Sequence, residues 1–197
     1  MKFRTAFAGI AAAGTLATGL AVAAPAPPAA AYTCGYQRWP VKTGADADRY
    51  QVSPTVRYKS VGYLGSLSRP SSFGSYAQDH RIKWPELHIW QVRATLVAVK
   101  LESEDSDYHL RLRANGHNMI AEIPRPGCVS SKSLWRNRIG AARNWINARF
   151  NVSSDGWTYV YRTVKVRGLG FFDEEHNVTG AAPNYFELHP VTRISYP

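Results

Sequence analysis

The sequence lacks the compact motifs that identify most hydrolases and metalloenzymes. It has no nucleophile elbow, no glycine-rich phosphate-binding loop and no His-Glu-x-x-His pair. Its two cysteines, Cys34 and Cys128, lie too far apart to supply the paired ligands of a zinc site. A serine triad stays open, although the sequence singles out no particular serine. Any chemistry must therefore come from residues that only the fold brings together.

Acidic residues are also scarce. The chain has 14 Asp and Glu against 24 Lys and Arg, which gives a formal net charge of +10. Outside a cell, such a balance favours anionic partners such as nucleic acid, teichoic-type polymers or lipid headgroups. The alternative is that the charge only keeps the protein soluble.

The first 31 residues have the three parts of a secretory signal. A cationic start at residues 1–4 precedes an uncharged apolar run at 6–23 and a small-residue stretch that ends at Ala31. A membrane anchor is the alternative, but the run is rich in Ala, Gly and Thr and would insert weakly. We therefore predict a secreted, extracellular protein that is cleaved near Ala31 and has no stable membrane insertion. In that environment Cys34 and Cys128 are expected to form a disulfide.

Residues 32–87 show no sustained hydrophobic period and contain several proline and serine turns. We predict an extended arm that packs on the domain formed by residues 88–197. The aromatic residues of this arm are its expected anchors: Trp39, Tyr50, Tyr58, Tyr63 and Trp84.

The region after residue 88 is predicted to be mainly β with one helix. Alternating and β-rich patterns predict strands at 89–101, 108–113, 119–123, 158–172 and 186–195. A helix is expected at 134–150, with a buried stripe that includes Ile139 and Ile146. This β-β-β-α-β-β order is that of a five-stranded OB-like barrel. Half of a β-sandwich is the competing architecture.

Acidic residues concentrate in the two loops that an OB barrel brings to its mouth. The loops contain seven of the 14 acidic residues, namely Glu102, Glu104, Asp105, Asp107, Asp173, Glu174 and Glu175. Clustered carboxylates repel each other unless a cation lies between them, so this pattern indicates Ca²⁺ or another divalent metal. The alternative is two solvated turns that never meet.

The second loop continues into the densest group of polar residues. His176 is a further candidate metal ligand. Glu187 and His189 share one face of the last strand and are candidates for acid–base catalysis. Candidate ligand-binding residues are Asn184 in the loop and His109, Arg111 and Arg113 on the second strand. The alternative for this group is a purely structural role.

A polyanion would avoid the acidic mouth. Its expected contacts are the strand face with Arg111 and Arg113 or the arginines of the helix, namely Arg136, Arg138, Arg143 and Arg149.

Five sequence blocks together resemble a widespread family of secreted or envelope bacterial proteins. They are the segments RWPVKTG (38–44), DYHL (107–110), MIAEIP (119–124), GFFD (170–173) and ELHPV (187–191). The resemblance covers most of residues 36–194. It implies one exported globular domain and no particular activity.

A remoter resemblance is to OB barrels of the staphylococcal-nuclease type. Asp105-Ser-Asp107 looks like the metal-binding aspartate turn of that family, and Glu122-Ile-Pro124 looks like its Asp-Thr-Pro segment. The resemblance adds Glu122 to the candidate metal ligands Asp105, Asp107, Asp173 and His176. Arg125 occupies the position of the general-base glutamate, so the resemblance supports the fold better than the reaction.

Two functions follow from these patterns. The first is a monomeric, secreted OB-type binding module, with or without bound calcium, whose ligand is an anionic polymer or nucleic acid. The second is a metal-dependent, nuclease-like hydrolase. It would need the candidate metal ligands to converge on Glu187 and His189.

Overall fold

The computed structural model describes residues 34–35, 37–72, 74, 76–175 and 178–197. The predicted signal and His176 lie outside the described residues. Residues from 34 onward belong to one compact unit. Among the described residues, no helix is both long and apolar enough to cross a membrane.

The protein is mainly β, with six strands in the part of the chain that the structure describes. They are β1 (Ser53–Tyr58), β2 (His88–Leu101), β3 (Tyr108–Ala114), β4 (His117–Ile123), β5 (Thr158–Phe172) and β6 (Phe186–Ser195). The last two coincide with the predicted strands at 158–172 and 186–195. The unpredicted strand is β1, which lies in the N-terminal arm.

The strands form one mixed sheet that closes on itself. The neighbours run in the order β1-β2-β3-β4-β6-β5, and β2 pairs with β5 as well as β3. β4 and β6 are parallel, as are β1 and β2, and the other pairs are antiparallel. Alternate apolar residues such as Leu110, Leu112 and Leu188 fill the interior.

The helix α4 (Arg136–Asn147) lies between β4 and β5 in sequence and packs on β6. Ile139 and Ile146 are buried, as the helical period predicts. Arg143, predicted with the other arginines of the helix as a polyanion contact, is not available on the surface. Its guanidinium is buried and donates to the carbonyl oxygens of Ser106 and Ile123, each at 2.9 Å. These bonds satisfy two carbonyl oxygens, one in the turn before β3 and one at the end of β4.

The N-terminal arm contains three short helices, α1 (Trp39–Thr43), α2 (Val61–Gly65) and α3 (Lys83–Glu86). Most of the predicted aromatic anchors are exposed. Tyr50 is 72% and Tyr58 is 67% exposed, and Tyr63 and Trp84 are also exposed. Small apolar residues such as Val41 and Leu64 are fully buried instead. A side chain that is apolar throughout gains most from burial, whereas Tyr and Trp have a polar tip that can stay in solvent.

Two long-range links fix the start of the arm. Cys34 and Cys128 form the predicted disulfide, with their Cα atoms 5.5 Å apart. Arg38 is buried and pairs with the buried carboxylate of Glu86 through two bonds of 2.9 and 2.8 Å. Its Nη1 also donates to the Phe172 carbonyl at 2.8 Å. These links hold α1 beside the ends of β5 and β6.

Candidate functional site

Four buried side chains form a line of alternating carboxylates and imidazoles. His189 Nε2 lies 3.3 Å from Asp107 Oδ2, and His189 Nδ1 lies 3.0 Å from Glu122 Oε2. The other oxygen of Glu122 lies 2.7 Å from His109 Nδ1. One carboxyl or imidazole atom from each of Asp107, Glu122 and His189 lies within 4.8 Å of the others. A single cation could therefore reach all three.

Strand pairing explains why these residues meet. His109 on β3 is directly opposite Glu122 on β4, so both side chains lie on the same face. The parallel pairing of Ala121 with Leu188 points those two apolar residues inward. Glu122 and His189 therefore lie on the other face, between β4 and β6.

Asp107 reaches this face from the turn before β3. Its backbone N–H donates to Asp105 Oδ1, and its Oδ1 accepts from the Arg125 N–H. Ser106 between them has a left-handed φ of 64°. The turn therefore directs Oδ2 of Asp107 away from the backbone and toward His189.

The contacts around His189 are close, but they lack hydrogen-bond alignment. Both His189 nitrogens, Asp107 Oδ2, Glu187 Oε2 and His109 Nε2 are buried without a hydrogen-bond partner among the described residues. Such orphaned polar atoms are uncommon in protein interiors. Here these atoms lie close together, which indicates a site whose polar atoms are placed to bind an ion or ligand rather than one another.

A second group of charges adjoins the first. Glu187 on β6 and Asp173 after β5 are buried, and the Nζ of Lys42 on α1 lies 3.7 Å from Asp173 Oδ1. Lys42 also lies over the Phe171 ring, 5.4 Å from its centroid. Two carboxylates, Asp173 from one predicted acidic loop and Asp105 from the other, both act to raise the pKa of Lys42. The two loops therefore approach the same lysine.

The electrostatics of the first group favour a charged His189. Burial alone would lower the pKa of His189, but Glu122 and Asp107 outweigh it and raise this pKa to about 9. Burial would raise the pKa of Glu122, but His189 and His109 hold it well below its ordinary value. Burial also raises the pKa of Asp107. In the metal-free protein these shifts favour the imidazolium form of His189.

The second group contains more carboxyl groups than one lysine can neutralise. Burial raises the pKa of Glu187 well above its ordinary value, and Asp173 and Glu122 add to the rise. Burial would lower the pKa of Lys42, but the surrounding carboxylates raise it overall. Burial also raises the pKa of Asp105 to about 6. The whole site therefore attracts protons or other cations.

A small pocket gives access from solvent. It is lined by residues of the arm and of the turn before β3, namely Gly35, Gln37, Trp39, Lys42, Glu104 and Asp105. Larger hollows, such as one lined by Tyr58 and Arg93, lie on other faces. The pocket reaches the charged cluster through Lys42 and Asp105, which belong to both.

The structure brings together most of the predicted site residues. Asp105, Asp107, Glu122, Asp173 and Glu187 surround Lys42 and His189, whereas Glu174 and Glu175 are exposed. Glu102 lies at the edge, 3.7 Å from His109.

The predicted Glu187–His189 pair is divided between the two groups. His189 contacts Asp107 and Glu122, while the pKa of Glu187 responds to Asp173 and Lys42. Thus the two residues share a strand face but have different neighbours.

The predicted ligand-binding residues are dispersed. Asn184 donates to the carbonyls of Leu64 and Leu67 and accepts from the Phe186 N–H. Arg111 packs over the Trp157 ring, 5.2 Å from its centroid. Arg113 is exposed at the far end of β3 from His109.

Lys42 was not predicted as a site residue. It is far in sequence from every carboxylate that surrounds it, so spacing carries no signal. Its position within the RWPVKTG block is the one sequence feature that could have directed attention to it.

Comparison with models of known protein families finds no match, and no curated protein sequence matches the chain. Among solved structures, the chain is similar to a protein provisionally assigned as an aspartyl-tRNA synthetase from Leishmania major Friedlin. The two are 15% identical with a TM-score of 0.40, and the match covers 72% of this chain and 21% of the other. This chain therefore spans about a fifth of that protein, and the likeness carries no argument about function.

Proposed function

We propose that this is an exported OB-type barrel with a divalent-cation centre at Asp107, Glu122 and His189. The OB-type assignment is supported by the closed cycle β2-β3-β4-β6-β5, with α4 between β4 and β5. On this view β1 is an addition from the arm. Export is supported by the N-terminal sequence pattern and is compatible with the disulfide.

The observation that carries the proposal is the convergence of ligand atoms within 4.8 Å in a region short of positive charge. Five carboxyl groups surround Lys42 and His189, namely Asp105, Asp107, Glu122, Asp173 and Glu187. Buried carboxylates cost several kcal/mol each unless they are paired or coordinate a metal. An ion at this position would satisfy the orphaned oxygen of Asp107 and one nitrogen of His189.

The donor set also bears on the identity of the ion. Imidazole suits Zn²⁺ and other later first-row ions, carboxylates suit Mn²⁺, and Ca²⁺ takes oxygen ligands. We therefore propose a first-row transition ion at Asp107, Glu122 and His189. Ca²⁺ would be preferred only if the carboxylates of Asp105 and Asp173, rather than His189, completed the ligand set.

The test is the thermal stability of EDTA-treated protein after addition of Mn²⁺, Zn²⁺, Ca²⁺ or Mg²⁺, with calorimetric titration for affinity. We expect at least one ion to raise the melting temperature, because an ion that binds only the folded state stabilises it. Asp107→Asn and Glu122→Gln should lose this rise. Asp155→Asn, which removes an exposed carboxylate elsewhere, should keep it. Binding that survives in both site variants would refute the assignment.

Hydrolysis is a second candidate function, favoured by Glu187. This residue is buried beside the centre, and its raised pKa suits a proton donor at neutral pH. Lys42 is placed to neutralise negative charge that develops near the pocket.

One experiment distinguishes cation binding alone from hydrolysis. If the centre hydrolyses phosphodiesters, ion-loaded protein should cleave single- or double-stranded DNA or RNA. Glu187→Gln should then reduce cleavage at least a hundredfold while the ion still raises the melting temperature. If no nucleic acid is cleaved with any of the four ions, the hydrolase function fails and the cation centre stands on its own binding data.

A further inference from the structure

A basic surface lies on the outer side of β2, apart from the acidic centre. Two adjoining hollows of about 560 and 530 Å³ share Arg93 between them. The first also contains Lys59 and Lys165, and the second contains Arg113. No carboxylate lines either hollow among the described residues. We call this surface the basic groove.

The cations of the groove have no acidic partners. Arg93, Arg113 and Lys165 make no ion pair and no side-chain hydrogen bond within the described residues. Lys59, the fourth cation of the groove, lies over the Tyr63 ring, 4.4 Å from its centroid. Some cations elsewhere on the surface are engaged: Lys100 pairs with Glu102, and Arg149 packs over Trp145.

The arrangement also carries an electrostatic cost. Arg93 on β2 is directly opposite Lys165 on β5. Like charges in direct cross-strand pairs destabilise a sheet. A face that only keeps the protein soluble does not require such a pair. A row of phosphates along the groove would turn the repulsion into attraction.

Exposed aromatic rings lie on β5, the strand that also supplies Lys165 and Thr163 to the hollows, and on β1. Tyr159 and Tyr161 are 61% and 62% exposed, and their rings stack with centroids 6.0 Å apart and planes at 10°. Tyr58, also exposed, lines the first hollow. Thr163, two residues beyond Tyr161, lines the second hollow.

A bulge in β5 accompanies the two tyrosines. Leu96 pairs with Arg162, and the next pair is Ala98 with Tyr159. Between these pairs β5 moves by one residue more than β2, so β5 has one extra residue there. Tyr161 has a left-handed φ of 50°, which is uncommon for a bulky residue. Bulges often redirect side chains near functional sites. Here the bulge occurs where the two rings stack in solvent.

We propose that the basic groove binds single-stranded nucleic acid. Lys59, Arg93, Arg113 and Lys165 contact successive phosphates, and bases stack on Tyr159 and Tyr161. Combining a cationic track with exposed rings is how proteins bind single strands without sequence preference. A lipid surface or a base-free polyanion would need the cations but not the rings.

The test is fluorescence anisotropy of a labelled oligodeoxythymidylate with the purified, EDTA-treated protein over a range of NaCl concentrations. We expect binding that weakens steeply with salt. The double variant Arg93→Ala/Lys165→Ala should bind about tenfold more weakly. It should also lower the slope of log K against log salt by about 1.4, which corresponds to two phosphate contacts. Because EDTA is present, this result does not depend on the proposed cation centre.

A matched charge control is available on α4. Arg136 and Arg138 are exposed and lie outside the groove, so Arg136→Ala/Arg138→Ala removes the same charge. This variant should keep nearly all of the affinity. If both double variants lose the same affinity, binding follows net charge and the proposal fails.

The rings distinguish the ligand class. Tyr159→Ala/Tyr161→Ala should lower affinity about tenfold, and the corresponding Phe variant should restore it because phenylalanine still stacks. Duplex DNA of the same length and inorganic polyphosphate should compete poorly. Competition by polyphosphate as strong as by the oligonucleotide, with no effect of the tyrosines, would overturn the proposal in favour of a general polyanion surface. Absence of oligonucleotide binding at low salt would overturn it outright.

Discussion

The ion pair between Arg38 and Glu86 is buried completely and ties the arm to the strands. Glu86 accepts both bonds from the guanidinium and also accepts from the backbone N–H groups of Ile82 and Phe172. Removing one partner of such a pair leaves an uncompensated buried charge, which costs about 3–5 kcal/mol. We therefore expect Glu86→Gln to lower the free energy of unfolding by that amount, measured by urea denaturation.

An exposed ion pair in the same protein provides the comparison. Glu175 is 71% exposed and lies 3.5 Å from Arg69. Exposed pairs contribute about 0–1 kcal/mol, so Glu175→Gln should change stability little. If the two substitutions had equal effects, the buried Arg38–Glu86 pair would not tie the arm to the strands.

His189 predicts an unusual dependence of stability on pH in metal-free protein. Its pKa is raised from 6.5 to about 9 by Glu122 and Asp107, against the effect of burial. A raised folded-state pKa gives stability that is fully present below about pH 6.5 and is lost as pH rises through 9. We expect a fall of about 3 kcal/mol across this interval. Glu187, whose pKa is also raised, adds a contribution of the same sign.

The measurement is urea unfolding in EDTA at several pH values. His189→Gln should flatten the fall, because the neutral amide cannot titrate. His117→Gln, which changes an exposed histidine on β4, should leave it unchanged. Stability that increases with pH over this interval in the unsubstituted protein would contradict the assignment of a charged His189.

At the scale of secondary-structure elements, β5 packs against the arm at Gly170. A Cβ added at this glycine would collide with the carbonyl oxygen of Pro85, the ring of Phe186 and the indole nitrogen of Trp90. That nitrogen already donates to the Pro85 carbonyl at 2.8 Å. Backbone and buried rings cannot move aside easily, so Gly170→Ala should destabilise the protein by about 2 kcal/mol.

A second glycine tests the same substitution where there is space. Gly140 lies within α4, and an added Cβ would meet nothing within 4 Å. Alanine favours helix over glycine by about 0.5–1 kcal/mol, so Gly140→Ala should stabilise the protein. Thermal denaturation of both variants should therefore give shifts of opposite sign.

These elements also show what the sequence could and could not predict. β5 and β6 were predictable because each contains a stretch in which apolar and polar residues alternate, such as residues 164–167 and 186–189, which is a local signal. β1 was missed because it is short and mostly exposed, and its place depends on parallel pairing with β2. The short helices of the arm are likewise held by distant partners such as Glu86.

The candidate site was also predictable only in part. Asp107 was predicted from its place in an acidic loop at the expected barrel mouth, and His189 was predicted because it shares a strand face with Glu187. Neither spacing nor composition could show that Lys42 would lie among the carboxylates, or that Glu187 and His189 would have different neighbours. Those facts depend on how the arm crosses β6.

At the scale of the whole molecule, the disulfide joins the start of the N-terminal arm to the segment that follows β4. Cys34 and Cys128 are separated by 94 positions. Trp39 Nε1 donates to the Cys128 carbonyl at 3.2 Å, so α1 is held close to the bridge. The bridge thus restrains the segment that places Lys42 over the acidic centre.

A variant without the bridge should be folded but much less stable. On the chain-entropy model a loop of this length contributes roughly 4–5 kcal/mol, so Cys34→Ser/Cys128→Ser should lower the free energy of unfolding by about that amount. The variant should still fold, because Arg38 and Glu86 also join the arm to the end of β5 through their bonds to Phe172. Adding Glu86→Gln to the double variant should therefore release the arm, and the combined loss should exceed the sum of the two. Urea denaturation of all four proteins measures this, and a strictly additive result would show that the two links act independently.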